Sequence, residues 1–349
     1  MNVFSAFDGM SCGRIALDKV GLSVDNYYSS EIKKYAIDIA NKNYPQDKKN
    51  RLGDITTIKG SDLPTIDLFI GGSPCQDFSG ANKNRLGVEG SKSGLFYEWL
   101  RLKNEVKPKY FLLENVRMKK DHQDIISKEL GCEPIIINSM LFAPQLRHRL
   151  YWTNIPNNKP SLFLENGYTK RTQNGYWLQR NSNRLNDILE NGWTERTHAR
   201  CLLESDSRPL STPIKMFHRY YSTGFTTLIF KSQKHFGECV FHYNENFKHM
   251  NAKQIDEHIK NSNIDLSIYE GVRYLTPQER EDCQTVPRGY TKGLTNNQIA
   301  CILGDGWTID VIAHIFNGLK EKDYATVSSI KKNNPKLYNA YIEREKAND

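Results

Sequence analysis

At 349 residues, 38% hydrophobic and 25% charged, the chain has an ordinary globular balance, which excludes a wholly disordered or collagen-like chain and leaves room for one large core and a second, smaller unit. Its formal net charge of +8 permits a polyanionic partner without requiring one. The seven cysteines, Cys12, Cys75, Cys132, Cys201, Cys239, Cys283 and Cys301, are an odd, scattered set without a CxxC pair, so they suggest neither a disulfide framework nor a zinc ribbon and fit a reducing compartment.

The chain opens without a basic n-region and apolar h-region, and no window approaches the roughly 18 uninterrupted apolar residues of a membrane span. The expectation is a soluble, cytoplasmic protein with no membrane partner. Asn2 to Phe7 is a short apolar strand, followed by Asp8-Gly9-Met10-Ser11-Cys12-Gly13 and then by Ile15, Ala16, Leu17 and Val20 at helical spacing. Strand, glycine turn and helix resemble the first crossover of a doubly wound sheet, where glycines let a cofactor lie against backbone. The next strand, Asn26 to Ser30, ends at Glu31, a carboxylate placed to accept hydrogen bonds from ribose hydroxyls; capping the following helix is an equal reading. Asp54 follows Gly53 in a turn.

Ile66 to Ile70 is a strand that runs into Gly71-Gly72-Ser73-Pro74-Cys75-Gln76-Asp77-Phe78-Ser79-Gly80. Pro74 fixes its own φ and biases Ser73 toward extended geometry, so Cys75 is presented by a constrained loop, as a nucleophile is. Taken alone, a free cysteine is more often a buried small hydrophobe. Gly80 to Gly94 is polar and glycine-rich, with Lys83, Arg85 and Lys92, and reads as a lid. Leu95 to Val106 has helical spacing, and Tyr110 to Leu113 is a strand that ends at Glu114. Carboxyl ends of parallel strands share one edge, which would bring Cys75, Glu114 and the glycine turn to one crevice.

Ile125 to Leu130 suggests a helix, Pro134 to Ser139 a strand, and Arg147 to Trp152 a strand with Arg147 and Arg149 on one face. From about Thr153 the β-α alternation stops. Lys170, Arg171, Arg180, Arg184, Arg196, Arg200 and Arg219 interleave with Tyr168, Tyr176, Trp177, Trp193, Tyr220 and Tyr221, a mixture suited to phosphates and bases, though a solvated surface over an aromatic core would look similar. His235, Cys239, His242 and His249 lack zinc spacing, so no metal is expected. Thr276 to Arg280 starts a helix with Pro277 in its first turn, and Gly304-Asp305-Gly306-Trp307 precedes an apolar helix, Val311 to Leu319. The tail from Lys320 is charged and expected to be an exposed helix. The division expected is a catalytic domain of 1–152 completed by 296–349, with a second domain of 153–295.

From Phe4 to about Phe316, in motif order, the chain resembles the C5 DNA cytosine methyltransferase family. Phe7 to Gly13 is similar to the first motif in its FDG form; Gly72-Ser73-Pro74-Cys75, Glu114-Asn115-Val116 and Gln145-Leu146-Arg147-His148-Arg149 match the PC, ENV and QxRxR motifs; Arg273 to Glu281 resembles the ninth motif. Gly304 to Trp307 stands in for the tenth, with Asp305 replacing the asparagine of Gly-Asn-Ser. The resemblance implies an α/β fold, a doubly wound, mostly parallel sheet with a smaller target-recognition domain, S-adenosylmethionine as cofactor and double-stranded DNA as partner. It implies catalytic roles for Cys75, Glu114, Arg147 and Arg149, and a cofactor set of Phe7, Asp8, Gly9, Met10, Ser11, Cys12, Gly13, Glu31, Ile32, Asp54, Ile55, Gly72, Pro74, Asp305 and Trp307. DNA contacts fall to Ser79, Lys83 and Arg85 in the lid and to Arg180, Arg184, Arg196, Arg200 and Arg219 in the recognition segment.

The chemistry implied is addition of a Cys75 thiolate to C6 of a flipped-out cytosine, which makes C5 nucleophilic toward a sulfonium methyl; Glu114 binds N3 and N4, and Arg149 holds O2. A monomer acting in a bacterial or virus-infected cell is expected, and a paired restriction endonuclease is an open partner. Three rivals stand beside this reading. The branch acting on tRNA cytosine carries a Cys-Phe-Thr signature that is absent here. A catalytically idle DNA-binding relative would not need Cys75, Glu114 and Arg149. An enzyme acting on free pyrimidine nucleotides would have no use for the long basic and aromatic middle segment.

Overall fold

The computed structural model describes residues 1–74, 94–156, 168–171, 177–179, 184–204, 210 and 212–320. Cys75, Ser79, Lys83, Arg85 and Arg180, with most of the expected lid and the tail from 321, lie outside the described residues. In chain order the elements are β1 (Asn2–Ala6), α1 (Cys12–Val20), β2 (Asn26–Ser30), α2 (Lys34–Asn43), β3 (Leu68–Gly72), α3 (Gly94–Val106), β4 (Tyr110–Val116), α4 (Lys120–Leu130), β5 (Ile135–Asn138) and β6 (His148–Thr153). There follow β7 (Tyr168–Arg171), β8 (Trp177–Gln179), α5 (Leu185–Ile188), α6 (Pro213–Thr223), α7 (Gln233–Phe247), α8 (Ala252–Asn261), α9 (Pro277–Cys283), α10 (Asn296–Asp305) and α11 (Ile309–Phe316).

Six strands form one sheet in the order β2-β1-β3-β4-β6-β5, parallel from β2 to β4, with β6 antiparallel to both its neighbours. Alternation along each strand supplies two faces, and both are apolar. Val3, Leu68, Ile70, Leu112 and Tyr151 enter one core with α1, α10 and α11, whereas Phe4, Ala6, Phe69, Leu113 and Trp152 enter the other with α3 and α4. On the second face Phe4 stacks on Phe69 with centroids 5.0 Å apart, and Phe69 meets Trp99 edge-on at 5.2 Å. Helix α1 presents Ile15, Ala16, Leu17 and Val20 to the first core and stops at Gly21, whose φ of 76° lets its N–H reach the Leu17 and Asp18 carbonyls. The chain leaves β1 for β2 on one side and returns to β3 on the other. The crevice between the ends of β1 and β3 is therefore the switch point at which such sheets bind ligands.

Several element ends differ from expectation, and in two helices the reason is local. Helix α4 begins at Lys120, five residues before the apolar period, because its first turn is polar and its Lys120 pairs with Asp124. Helix α11 begins at Ile309 and ends at Phe316; the chain then tightens into a 3₁₀ turn, Asn317–Leu319, where Gly318 lies so close to Pro156 that a Cβ would stand 2.2 Å from its carbonyl oxygen. The stretch Asn296–Leu319 is long and apolar enough to cross a membrane, but it is α10 and α11, packed inside the first core.

Helices α6 to α8 enclose a third core around Phe217, Phe230, Tyr243, Phe247 and Tyr269. Tyr220 belongs to it at 4% exposure, so this ring is core rather than a platform for bases. Leu185, Ala199, Leu202, Leu275, Cys283 and Tyr290, on either side of that unit, join the first core instead. The histidines and cysteine of this region serve its hydrogen bonding: His235 Nδ1 accepts from the Lys231 N–H at 3.1 Å and its Nε2 meets the Ile268 carbonyl at 2.8 Å, while Cys239 donates to that same carbonyl.

The chain returns from this unit through Arg273 and Glu279. Thr276 and Glu279 form a capping box at the start of α9, and the fully buried Glu279 carboxylate takes both Arg273 amino groups at 2.8 Å and the Glu190 N–H at 2.9 Å. Burial pushes the Glu279 carboxyl up, but Arg273 and the backbone donors outweigh it and hold it below its usual range. Its stabilisation is thus present above the usual glutamate range and lost as pH falls through it. Glu279→Gln should cost about 3 kcal/mol at neutral pH and flatten the acid limb of the stability curve below the usual glutamate range, as measured by denaturant unfolding; an unchanged acid limb would remove Glu279 from that role.

Candidate active site

Strand β1 delivers the chain into a turn with three left-handed residues, Phe7 at φ 55°, Gly9 at 58° and Ser11 at 66°, two of which are not glycine. Asp8 and Glu31 hold that turn in place. The Asp8 carboxylate faces inward and accepts from Tyr27 Oη at 2.7 Å, Ser11 Oγ at 2.6 Å and Arg51 Nη1 at 3.1 Å. Glu31 accepts from the Gly9 N–H at 2.9 Å and from the Ile32 and Lys33 N–H groups at 2.8 Å. It therefore staples the glycine turn to the start of α2 rather than capping the helix itself, whose N-cap is Lys33. Asp54 caps the 3₁₀ turn Ile55–Thr57 through the Thr56 N–H at 3.0 Å.

These pieces line one cavity with Ser73, Pro74, Glu114, Asn115, Arg147, Arg149 and Trp307. Phe7 to Met10, Cys12, Glu31, Ile32, Asp54 and Ile55 form one end, whereas Ser11, also expected there, is fully buried and does not line it; Ile32, 73% exposed, offers an apolar surface at the rim. Gly13 also lines it and lies so close to β3 that a Cβ would stand 2.3 Å from Ile70 Cδ1. At the other end Glu114 stands beside Gly72 in the parallel register of β4 and β3. Its Oε1 meets Arg149 Nε at 2.9 Å and its Oε2 accepts from Trp307 Nε1 at 3.1 Å, so both oxygens are oriented. A Cβ on Gly72 would come within 2.8 Å of Oε2 and 3.0 Å of Nε1. Glycine is needed there for the carboxylate and indole to meet.

Asn115 is nearly fully buried and donates to Ser73 Oγ at 3.1 Å, fixing the backbone that leads to Cys75. Gln145, also buried, donates to the Cys283 carbonyl at 2.9 Å and accepts from the Leu202 N–H at 2.8 Å. Of the two arginines expected to act in catalysis, only Arg149 meets Glu114. Arg147 is 3% exposed and donates to the carbonyls of Leu202, Gly304 and Gly306 at 2.9 to 3.0 Å, which makes it the tether of the wall that carries Trp307. The two guanidinia also flank Cys201, with Sγ 3.3 Å from Arg147 Nη1 and 3.8 Å from Arg149 Nη2. Burial pushes the Cys201 thiol up, but both arginines outweigh it and hold it below the ordinary thiol value. The opposite holds for Cys12, whose thiol is pushed up to about 12 by burial. Asp305 reaches outward across the rim to Lys33 Nζ at 2.6 Å.

The roles of Asn115 and Trp307 toward Ser73 and Glu114 were not readable from the sequence, because the partners lie 42 and 193 residues apart. Among the expected DNA contacts, Arg184 and Arg200 are exposed, and Arg219 lies half-buried on α6. Arg196 is occupied: its guanidinium lies 4.8 Å over the Tyr220 ring and its Nη2 reaches the Gly224 carbonyl at 3.5 Å.

The sequence is 33% identical over 193 residues to the type II methyltransferase M.NgoBV of Neisseria gonorrhoeae, a stretch that is 50% of this chain and 45% of that protein. It is 38% identical over 165 residues to the type II methyltransferase M1.ScrFI of Lactococcus lactis subsp. cremoris, 43% of this chain and 40% of that one. It is 33% identical over 162 residues to the orphan methyltransferase M.SPRI of Bacillus phage SPR, 43% of this chain and 37% of that one. The matches thus span less than half the length of these relatives. In fold it is similar to the methyltransferase EhMeth of Entamoeba histolytica, with a TM-score of 0.61 at 16% identity over 92% of this chain and 99% of that one. It is likewise similar to a DNMT2 variant of Spodoptera frugiperda, with a TM-score of 0.62 at 17% identity over 91% and 99%. The family profile described as C-5 cytosine-specific DNA methylase matches residues 1–321, and with Glu114, Arg149 and the glycine turn on one cavity at the switch point of a doubly wound sheet, the chain belongs to that family.

Proposed function

We propose that the protein is a DNA cytosine-5 methyltransferase that acts on a flipped-out cytosine in double-stranded DNA through a covalent bond from Cys75 to C6. The observation that carries this reading is the Glu114 carboxylate, fixed at both oxygens by Arg149 and Trp307, in the same cavity as the glycine turn. The cavity suits S-adenosylmethionine: Glu31 lies where ribose hydroxyls need acceptors, Asp54 and Ile55 border the adenine end, and the exposed Ile32 offers a face for the ring. When bound, that cofactor supplies the electrophilic methyl group.

The chain's own residues do the rest. Cys75, one residue beyond the Ser73-Pro74 segment that Asn115 fixes, adds as thiolate to C6 and forms the S–C6 bond. The electron pair displaced toward N3 and O2 would be met by a proton that Glu114 carries to N3 and by the Arg149 guanidinium at O2, leaving C5 nucleophilic toward the methyl group that the cofactor would supply. Loss of the C5 proton to water restores the C5–C6 double bond and expels the Cys75 thiolate. Arg149 beside the base and the positive charge of the cofactor would favour the thiolate form of Cys75. A base inside a stacked duplex cannot reach these groups, so extrusion costs roughly a few kcal/mol, supplied by DNA contacts. The stretch 153–295, which includes the unit built on α6 to α8, is taken as the target-recognition part, with Arg184, Arg200 and Arg219 as its candidate readers and Arg196, stacked on Tyr220, as a positioning side chain. DNA is preferred to tRNA because the matching family profile is described as a cytosine-specific DNA methylase and the Cys-Phe-Thr signature is absent.

Duplexes carrying 5-fluorocytosine at the target should trap an adduct with the wild-type protein and S-adenosylmethionine, because fluorine at C5 cannot leave as a proton. Cys75→Ala should trap nothing, and methylation at wild-type rate by that variant would overturn the mechanism. Glu114→Gln should lower turnover by about 10²- to 10⁴-fold while leaving calorimetric cofactor affinity nearly unchanged. Bisulfite sequencing of the treated DNA reads both activity and sequence context; complete conversion of every cytosine in all duplexes, with methylation of tRNA instead, would transfer the activity to the RNA substrate.

A further inference from the structure

The geometry points to Arg51 as the positioning residue of the cofactor cavity, a role that rests on the reading of that cavity as an S-adenosylmethionine site. No motif of the chain includes Arg51. Its backbone docks on the end of β2, bridging Ser29, with the Leu52 N–H on the Ser29 carbonyl at 2.8 Å. Its side chain, 7% exposed, then turns beneath the glycine turn. Nη1 donates to Asp8 Oδ2 at 3.1 Å, Ser11 Oγ at 3.3 Å and Ser29 Oγ at 3.2 Å; Nη2 donates to Ser11 Oγ at 3.3 Å; and Nε donates to Asn41 Oδ1 at 2.7 Å on α2.

The turn needs such a clamp because Phe7 and Ser11 occupy the left-handed region, which side chains adopt only when their surroundings over-determine it. The carboxylate it grips, Asp8, has no exposed side-chain surface, so it cannot be satisfied by solvent. Two residues after Arg51 the chain passes Gly53, at φ 77°, into Asp54 and Ile55, which line the same end of the cavity as the glycine turn but come from a separate stretch of chain. One planar guanidinium thus fixes the ribose and methionine wall to the adenine wall, and its fork can serve Asp8, Ser11 and Asn41 together. A side chain that only stabilised the fold would need the charge. A side chain that sets the spacing of the two walls needs the fork.

The test separates charge from fork by calorimetric titration of S-adenosylmethionine and thermal melting of the same full-length variants. Arg51→Met leaves Asp8 buried and uncompensated and should lower the melting temperature by about 10 °C and weaken the cofactor dissociation constant about tenfold. The double variant Asp8→Asn with Arg51→Met removes both charges and should recover at least half of the melting temperature while binding stays about tenfold weak. Arg51→Lys keeps the charge but not the fork and should melt within a few degrees of wild type, yet bind about fivefold more weakly. If the double variant or Arg51→Lys binds with wild-type affinity, whatever its melting temperature, the contact serves folding alone and the inference fails. A wild-type protein that binds no S-adenosylmethionine would instead overturn the reading of the cavity, and this inference with it.

Discussion

The parallel register of β1, β3 and β4 is the constraint from which the site follows. Ala6 pairs with Gly71 and Gly72 with Glu114, so the strand that leads to the glycine turn, the strand that leads to Cys75 and the strand that carries Glu114 all end at one edge. A one-residue slip of β4 would turn Glu114 into the opposite face and put Leu113 in its place. That slip is resisted by the cores, because Leu112 and Leu113 are each fully buried on opposite faces of the sheet. Packing the two faces and aiming the carboxylate are therefore a single requirement.

Buried and partly buried arginines repeat one device at this edge and at the entry to α9. Arg51 ties the glycine turn to the segment before Asp54, Arg147 ties the Gly304 to Gly306 wall to Leu202, Arg149 orients Glu114, and Arg273 ties Glu279 at the entry to α9. Arg51 and Arg147 join loops that are far apart in sequence, and Arg149 ties one strand to another. Hydrophobic burial fixes the sheet and its helices but has little grip on glycine-rich loops, so directional charged donors take over where the backbone approaches a ligand. A desolvated charge is costly unless its partners are complete, and the loops are thereby held to one arrangement.

Legibility from sequence divided along the same line. Elements with a strong apolar period were readable: β1, β3 and β4, the turn at Phe7 to Gly13, and the bodies of α1 and α3. Alternation puts Arg147 and Arg149 on one strand face; the strand begins at His148, so Arg147 precedes it, although both guanidinia reach Cys201 and line the cavity. Which of them meets Glu114 was not readable, because that depends on Leu202, Gly304 and Gly306. The aromatic texture between Trp193 and Tyr221 pointed to bases, whereas much of it builds a core: Tyr220 packs with Phe217 and Phe230 at centroid distances of 6.0 and 5.8 Å. Helices α6 to α8 escaped notice since their apolar faces carry tyrosine, histidine and cysteine, which weaken the period without weakening the packing.

Asp305 shows how a departure from a motif can leave its geometry intact. The wall from Gly304 to Trp307 is positioned by its backbone: Arg147 grips the Gly304 and Gly306 carbonyls, and Gln284 donates to the Leu303 carbonyl at 2.6 Å and the Gly306 carbonyl at 3.2 Å. Gln284 is in turn fixed through its oxygen by Thr308 at 2.7 Å, whose hydroxyl also meets Ser139 at 2.8 Å. None of these contacts uses the side chain at position 305. The Asp305 carboxylate points away, toward Lys33 on the opposite rim, where both side chains are about half exposed and solvent screens the pair. The indole of Trp307 is thus carried to Glu114 by main-chain hydrogen bonds that an asparagine or an aspartate at 305 would leave alike, and what the acidic residue adds is a contact across the mouth of the cavity.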